Sequence, residues 1–212
     1  MTEAQKTVGI VVFPEVEVLD FCGPFEVFSV ARLSEENRRE SQSPFRVILV
    51  GRTLETIHTT GGMKVTPDVD FQSCPRLNVL VVPGGWGTRP LMHDPEMLSW
   101  IRQRAGETAT VTSVCTGSLL LGGAGVLDGK RATTHWKSLN LLKQTYPAIE
   151  VVPSEHIVTD GDIITSAGIA AGIDMALTVV KKYCGEQVAR NTARYMEYPF
   201  PDSNARRVEI HD

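Results

Sequence analysis

Ala109-Thr-Val-Thr-Ser-Val-Cys115-Thr-Gly-Ser-Leu-Leu-Leu-Gly122 passes from an apolar, β-branched stretch through a single thiol into a Leu-rich segment. The first part has the composition of a strand buried on both faces, and Thr116-Gly117-Ser118 reads as a turn opening a short helix. A side chain at such a junction is held on a sharp turn above the sheet, at the positive end of the helix. That position favours thiolate over thiol. Cys115 is therefore the first candidate nucleophile, and the Thr116 amide a candidate oxyanion donor.

Working outward, strands and helices alternate. Val8–Phe13 is a continuous apolar run, as in a parallel strand covered on both faces. A loop, Pro14–Phe21, follows, and Gly23-Pro24 predicts a helix from there to about Leu33. Ser34–Pro44 reads as a surface loop, Phe45–Val50 as a strand, Lys64–Pro67 as part of a hairpin arm, and Asn78–Val82 as a buried strand ending in Pro83-Gly-Gly-Trp-Gly87. Asp94-Pro95-Glu96 caps a helix carrying Met97, Leu98, Ile101 and Ala105 on one face. Thr110–Val114 is expected to be the central strand. Beyond it come a short strand at Lys130–Thr133, a helix from Trp136 to Tyr146 and a strand at Ile149–Val152. Ile157–Thr165 reads as a hairpin turning at Asp160-Gly161. Helices at Ala170–Cys184, closed by Gly185, and at about Glu186–Tyr198 complete the chain. The pattern predicts an α/β fold with a mostly parallel central sheet.

The 212 residues suffice for one large domain, spanning 1–212 with its core at about 8–198, and no linker-like stretch divides them. A net charge of −4 and the lack of a basic stripe argue against nucleic acid, with Arg38-Arg39 and Arg206-Arg207 read as solvated doublets. No run approaches the roughly 18 apolar residues of a membrane span. Met1–Lys6 leads directly into Val8–Phe13, too short for a signal segment, so the expected location is cytoplasmic. Cys22, Cys74, Cys115 and Cys184 lie 52, 41 and 69 residues apart, a spacing that suits neither zinc nor a redox dithiol. No metal and no cofactor is expected. Apart from Cys115 the cysteines read as structural, and His58, His93, His156 and His211 as surface residues.

In a parallel α/β sheet, sites form at the carboxyl ends of strands. That rule selects Pro14–Phe21 with Glu15, Glu17 and Asp20, Pro83–Gly87 with its glycines, and Cys115-Thr116-Gly117. An acid, a backbone cradle and a thiol would converge there. Glu15 and Glu17 read as solvated loop carboxylates, and Asp20 either as a proton donor or as a helix cap.

Pro83-Gly-Gly, Cys115-Thr-Gly-Ser, Ala132-Thr-Thr-His135-Trp and Ala167-Gly-Ile-Ala-Ala-Gly-Ile-Asp174, in that order, resemble the ThiJ/PfpI superfamily. The resemblance runs from about Val8 to Tyr198. It implies the class I glutamine amidotransferase-like (flavodoxin-like) fold, a three-layer sandwich around the central sheet. Phe13-Pro14, Leu19-Asp20, Gly23-Pro24, Val114-Cys-Thr-Gly117 and Thr133-Thr-His-Trp136 are most similar to the isonitrile (isocyanide) hydratase branch. The sensor domains of some AraC-type transcription regulators look very similar. The protease-like and chaperone-like branches more often carry a functional Glu in the first loop and a Cys-His pair at the turn; the resemblance assigns no such role to Glu15 or Glu17, and the Cys-His pair is absent.

The hydratase resemblance implies a small-molecule substrate and a homodimer. Cys115 would attack the isocyanide carbon, Asp20 would supply and later remove a proton, and an N-substituted formamide would leave. Thr116 would orient the water or the acid, with the Gly85 and Thr116 amides stabilising charge. His135 is either a partner of Cys115 or a structural histidine, and Trp86 either lines the pocket or covers the loop. Gly168, Ala170, Ala171 and Gly172 suit close helix packing, at a dimer interface or inside the chain. Two other readings stay open: a ligand-sensing domain, against which the chain leaves no room after Tyr198 for a helix-turn-helix pair, and a redox protein sensing through Cys115.

Overall fold

In the computed structural model, which describes residues 5–36 and 38–210, β1 (Lys6–Val11) lies inside the sheet with Val8, Ile10 and Val11 fully buried. The chain continues through α1 (Val18–Val30), β2 (Phe45–Gly51), the hairpin β3 (Ile57–His58) and β4 (Lys64–Val65), β5 (Val69–Asp70) and β6 (Val79–Val82). Next come α2 (Thr88–Leu91), α3 (Pro95–Glu107), β7 (Thr110–Ser113), α4 (Gly117–Gly123) and β8 (Arg131–Ala132). A 3-10 turn (Trp136–Ser138) leads into α5 (Leu139–Thr145), β9 (Glu150–Val151), the hairpin β10 (Ile157–Asp160) and β11 (Ile163–Ser166), then α6 (Ala171–Cys184) and α7 (Glu186–Tyr195).

The main sheet has the order β10-β11-β7-β6-β1-β2-β5, parallel throughout except for the β10–β11 pair. The middle strand is β6, and β7 is its neighbour, one place from the position the sequence suggests. Helices α1, α6 and α7 pack together as one layer, and α3, α4 and α5 as the other. Every residue of β6 and β7 is buried; β6 is apolar throughout, and in β7 the Thr110 hydroxyl meets the Tyr183 hydroxyl at 2.9 Å while the Thr112 hydroxyl donates to Leu80 O at 3.1 Å. Asp94 accepts from the Met97 N–H at 2.9 Å and starts α3 as expected. Gly117 opens α4 where a Cβ would collide with the Val82 carbonyl, so only glycine brings the helix so close to β6.

Several expectations need correction. Helix α1 starts at Val18 and carries Pro24 within it. Phe21, Pro24, Val27 and Phe28 share a buried face, and that burial outweighs the hydrogen bond proline cannot donate. Asp20 is consequently in a helical first turn, not in a loop. The hairpin turns at Gly161-Asp162, because Asp160 pairs with Ile163 and its carboxylate accepts from the Arg131 N–H at 2.9 Å. Ala171 and Gly172 pack inside the chain, Gly172 against Val114 and Pro24.

The arginine doublets are not simply solvated. Arg38 donates to the Val30 carbonyl at the end of α1 and lies 3.6 Å from the Tyr195 ring centroid, leaving Arg39 exposed. Arg206 donates to Pro153 O, to Thr133 Oγ1 (2.6 Å) and to Thr134 O (3.1 Å). Arg207 meets Asp174 Oδ2 at 2.8 Å. His156 is buried rather than exposed, with Nε2 2.9 Å from the same oxygen, and Tyr198 donates to Oδ1 at 3.1 Å. His58 and His93 are exposed as expected, while His211 lies outside the described residues.

The fully buried Asp174 thus ties the C-terminal segment to α6 and β10. Asp174→Asn leaves Arg207 and His156 without their anion. We expect a loss of about 3 kcal/mol in urea unfolding at pH 7, the low end for a broken buried pair because the Arg207 side chain is 43% exposed.

Candidate active site

The order of strands reverses between β1 and β6, and the loops leaving their carboxyl ends are zipped together there. Val16 bridges Gly85, Glu17 N–H donates to Gly84 O at 2.9 Å, and Gly87 N–H donates to Glu15 O at 3.3 Å. Glu15 accommodates this join with φ +60°. The seam sets the first turn of α1, and with it Asp20, against Gly84.

Asp20 is 0% exposed. Its Oδ2 accepts from the Gly84 N–H at 2.8 Å, whereas Oδ1 is buried without a hydrogen-bond partner. A Cβ on Gly84 would lie 2.5 Å from Thr116 N and 2.9 Å from Asp20 Oδ2, so the absent side chain is what admits both groups. Burial raises the Asp20 pKa from its ordinary value to about 8. The Gly84 bond opposes that shift, the charge of Glu17 adds to it, and the nearby Cys115 thiol lowers it slightly.

Cys115 follows β7 with φ +55°, a left-handed backbone that is uncommon for a residue with a Cβ. Neighbours hold it there: its N–H donates to Ala167 O at 3.0 Å, and its carbonyl accepts from Thr134 Oγ1 at 2.8 Å. The expectation of a resting thiolate does not hold. Burial first, and the Asp20 charge second, push the thiol up to about 12. The Ile169 and Thr116 amides and the Thr116 hydroxyl work in the opposite direction without overcoming burial. The resting pair at neutral pH is a thiol beside a carboxylic acid.

Above this pair opens a cavity of about 270 Å³, lined in part by Glu17, Trp86, Arg89, Cys115, His135 and Lys137. Gly85 and Thr116 also line it, so of the residues chosen from sequence only Asp20 is not part of the lining, being fully buried. Their roles differ from expectation in places. The Gly85 N–H donates to Thr116 Oγ1 at 3.1 Å and so is already engaged; the amide that serves the carboxyl belongs to Gly84. Trp86 is 65% exposed and forms a wall. His135 accepts from the Lys137 N–H through Nδ1 at 3.3 Å. Burial, followed by the charges of Lys137, Arg206 and Arg89, holds its pKa below the usual value. Glu17 is half-buried on the cavity wall, unlike the exposed Glu15.

Four residues are not picked out by the sequence reading: Thr88, Arg89, Ile169 and Lys137, the last on the cavity wall beside His135. Thr88 Oγ1 meets Thr116 Oγ1 at 3.1 Å and Gly85 O at 2.8 Å, fixing the threonine beside Cys115. Arg89 lines the cavity, and Ile169 offers its amide to the sulfur. Thr88 and Arg89 directly follow the Pro83–Gly87 loop, so extending that loop by two residues would have found them. Among the described residues no group of His, Cys, Asp or Glu could hold a metal ion, and no helix is long and apolar enough to cross a membrane.

A doubly wound α/β sheet with a cysteine and a buried acid at its switch point defines the class. The chain belongs to the DJ-1/PfpI family, whose model matches residues 6–182. It is 40% identical to the isonitrile hydratase of Pseudomonas putida over 192 residues, 90% of this chain and 78% of that protein. A crystal structure of a ThiJ/PfpI family protein from Pseudomonas syringae matches with a TM-score of 0.81 and 31% identity, over 95% of this chain and 78% of that one. The HTH-type transcriptional regulator CdhR of Pseudomonas aeruginosa is 34% identical over 131 residues, 61% of this chain but 38% of the regulator.

A raised native pKa has a stability consequence with a definite sign. Near pH 4 and below, Asp20 is protonated in both folded and unfolded chains. As pH rises towards 8 the unfolded carboxyl ionises while the native one keeps its proton, and the native state loses stability. Asp20→Asn removes this dependence. Its melting temperature relative to wild type should climb from pH 4.5 to 8 and level off above, as read by calorimetry.

Proposed function

We propose that the protein is an isocyanide hydratase with Cys115 as nucleophile and Asp20 as acid and base. The observation that carries this reading is the buried Asp20 carboxyl, one oxygen unpartnered, beside the Cys115 thiol under a small cavity. The 40% identity to an isonitrile hydratase supports it from a separate direction.

The terminal carbon of R–NC accepts both a proton and a nucleophile. Asp20 gives its proton to that carbon as the Cys115 sulfur bonds to it, and the thiol proton returns to the carboxylate. The product of this step is the thioimidate R–N=CH–S–Cys. Water then adds to the same carbon, and Asp20 takes the water proton and passes a proton to the nitrogen. Collapse of R–NH–CH(OH)–S–Cys breaks the C–S bond, returns a proton to sulfur and releases R–NH–CHO. Thr116, steadied by Thr88, orients the water. The left-handed backbone of Cys115 serves as a nucleophile elbow.

An acid of pKa about 8 suits this first step at neutral pH. A thiol pushed up to about 12 is a poor peroxide sensor, which disfavours the redox reading. The ligand-sensing reading draws on the 34% identity to the CdhR regulator, and binding of isocyanides without turnover would favour it. A cytoplasmic homodimer is part of the proposal. Half-exposed Leu19, Cys22 and Phe25, three residues apart on α1, offer an apolar strip for it, to be tested by light scattering.

With cyclohexyl isocyanide, formamide production should be absent in Cys115→Ser and reduced at least about 100-fold in Asp20→Asn. Turnover surviving in Cys115→Ser would sink the mechanism. Because the protonated carboxyl is required, kcat/KM should be flat below about pH 8 and fall tenfold per pH unit above it. Glu17→Gln removes a charge that raises the Asp20 pKa, so the same limb should move to lower pH.

A further inference from the structure

The hydratase mechanism leaves two cations of the cavity wall unused. Arg89 and Lys137 both line the space above Cys115. Neither has a carboxylate within ion-pair distance among the described residues. Arg89 is held by neutral groups: Nη1 donates to Thr88 Oγ1 at 3.2 Å and, at 3.5 Å, to Gly85 O, and Nη2 donates to Ser138 Oγ at 3.2 Å. Its Nε–H has no partner among the described residues, and its guanidinium lies 5.2 Å from the Trp86 ring centroid. The Lys137 ammonium lies 5.0 Å from the Trp136 ring centroid. These contacts position both charges without neutralising them.

The rest of the lining does not cancel them. Glu17 is the one carboxylate on the wall, facing two cations, and the buried Asp20 is neutral near pH 7. His135, on the same wall, feels the field as a depressed pKa to which both cations contribute. A guanidinium over an indole presents a planar fork suited to a carboxylate, with an apolar face beside it. A cavity of about 270 Å³ suits a small molecule reaching from that fork to the sulfur.

We propose that Arg89 and Lys137 form an anion subsite at the mouth of the Cys115 cavity, selecting isocyanides whose nitrogen substituent ends in a carboxylate. The proposal rests on the hydratase reading and deepens it to a substrate class, the small isocyano carboxylic acids, with N-formyl amino acids as products. The reaction supplying such a substrate must place an isocyano group on an amino acid or a short amino-terminated acid. The one consuming the product must be an amide hydrolysis that releases formate.

The test compares isocyanoacetate with its methyl ester, in wild type, Arg89→Met and Lys137→Met, with cyclohexyl isocyanide as a neutral reference. Wild type should favour the acid over the ester by about tenfold or more in kcat/KM, the equivalent of about 1.4 kcal/mol. Either variant should reduce that ratio several-fold, and 0.5 M salt should compress it in wild type. The exposed Lys137 provides a variant that folds should Arg89→Met fail to. Turnover of cyclohexyl isocyanide and the ester without preference for the acid, or a preference untouched in both variants, overturns the subsite alone. Loss of turnover for all three in wild type strikes the hydratase reading instead. Calorimetry with N-formylglycine and its methyl ester then decides the subsite: tighter binding of the acid upholds it, equal binding overturns it.

Discussion

The hydrogen bond from the Gly84 N–H to Asp20 Oδ2, 2.8 Å long and sealed from water, is the constraint around which the site is organised. A carboxyl this deeply buried would ordinarily be expelled or paired with a cation. Here it retains one backbone donor and stays protonated through the neutral range. That requires α1 to begin early enough to carry Asp20 into its first turn, the β6 loop to lack a side chain at Gly84, and the two loops to be stitched by Val16 and Gly85. The stitching of the loops depends on strand order, because β1 and β6 are neighbours at the switch point and bring them edge to edge.

The Cys115 side of the pair is held by a second set of ties. The strained backbone at Cys115 is braced from β8's continuation through Thr134 and from β11 through Ala167. Thr133 and Thr134 are in turn gripped by Arg206, and the helix that follows Ile169 is anchored by Asp174 to Arg207. Residues far along the chain thereby stiffen the turn on which the thiol stands. The last segment works as a clasp on the architecture, joining α6, the β8 loop and the hairpin.

Much of this was legible from residue order. The strand-thiol-turn at Ala109–Gly122, the carboxyl-edge rule and the spacing of apolar runs located the sheet and the three loops, whereas Asp20 is singled out from Glu15 and Glu17 only by the hydratase resemblance. What escaped had physical reasons. Pro24 reads locally as a helix start, and only the buried face shared with Phe21 and Val27 shows that the helix runs through it. His156 and Arg207 carry no signal in sequence because their partner, Asp174, is 18 and 33 residues away. The Cys115 protonation state is not legible in sequence, because local dipoles can be read from a turn whereas the desolvation that dominates depends on the packing of every layer. Gly84 and Gly85 look alike in sequence, and only the backbone direction separates the amide that serves Asp20 from the one that serves Thr116.

The resting proton state of the pair also bears on chemoselectivity. Alkyl halides and peroxides react with a thiol only through a thiolate formed beforehand, and a sulfur whose proton is held up to about 12 offers them little. In the proposed reaction an isocyanide meets a different situation, since its terminal carbon is basic as well as electrophilic. It can draw the carboxyl proton while accepting the sulfur, so the substrate itself triggers the ionisation it needs. By this account, the site rejects ordinary electrophiles by withholding charge until an ambiphilic atom arrives, and shape alone need not discriminate.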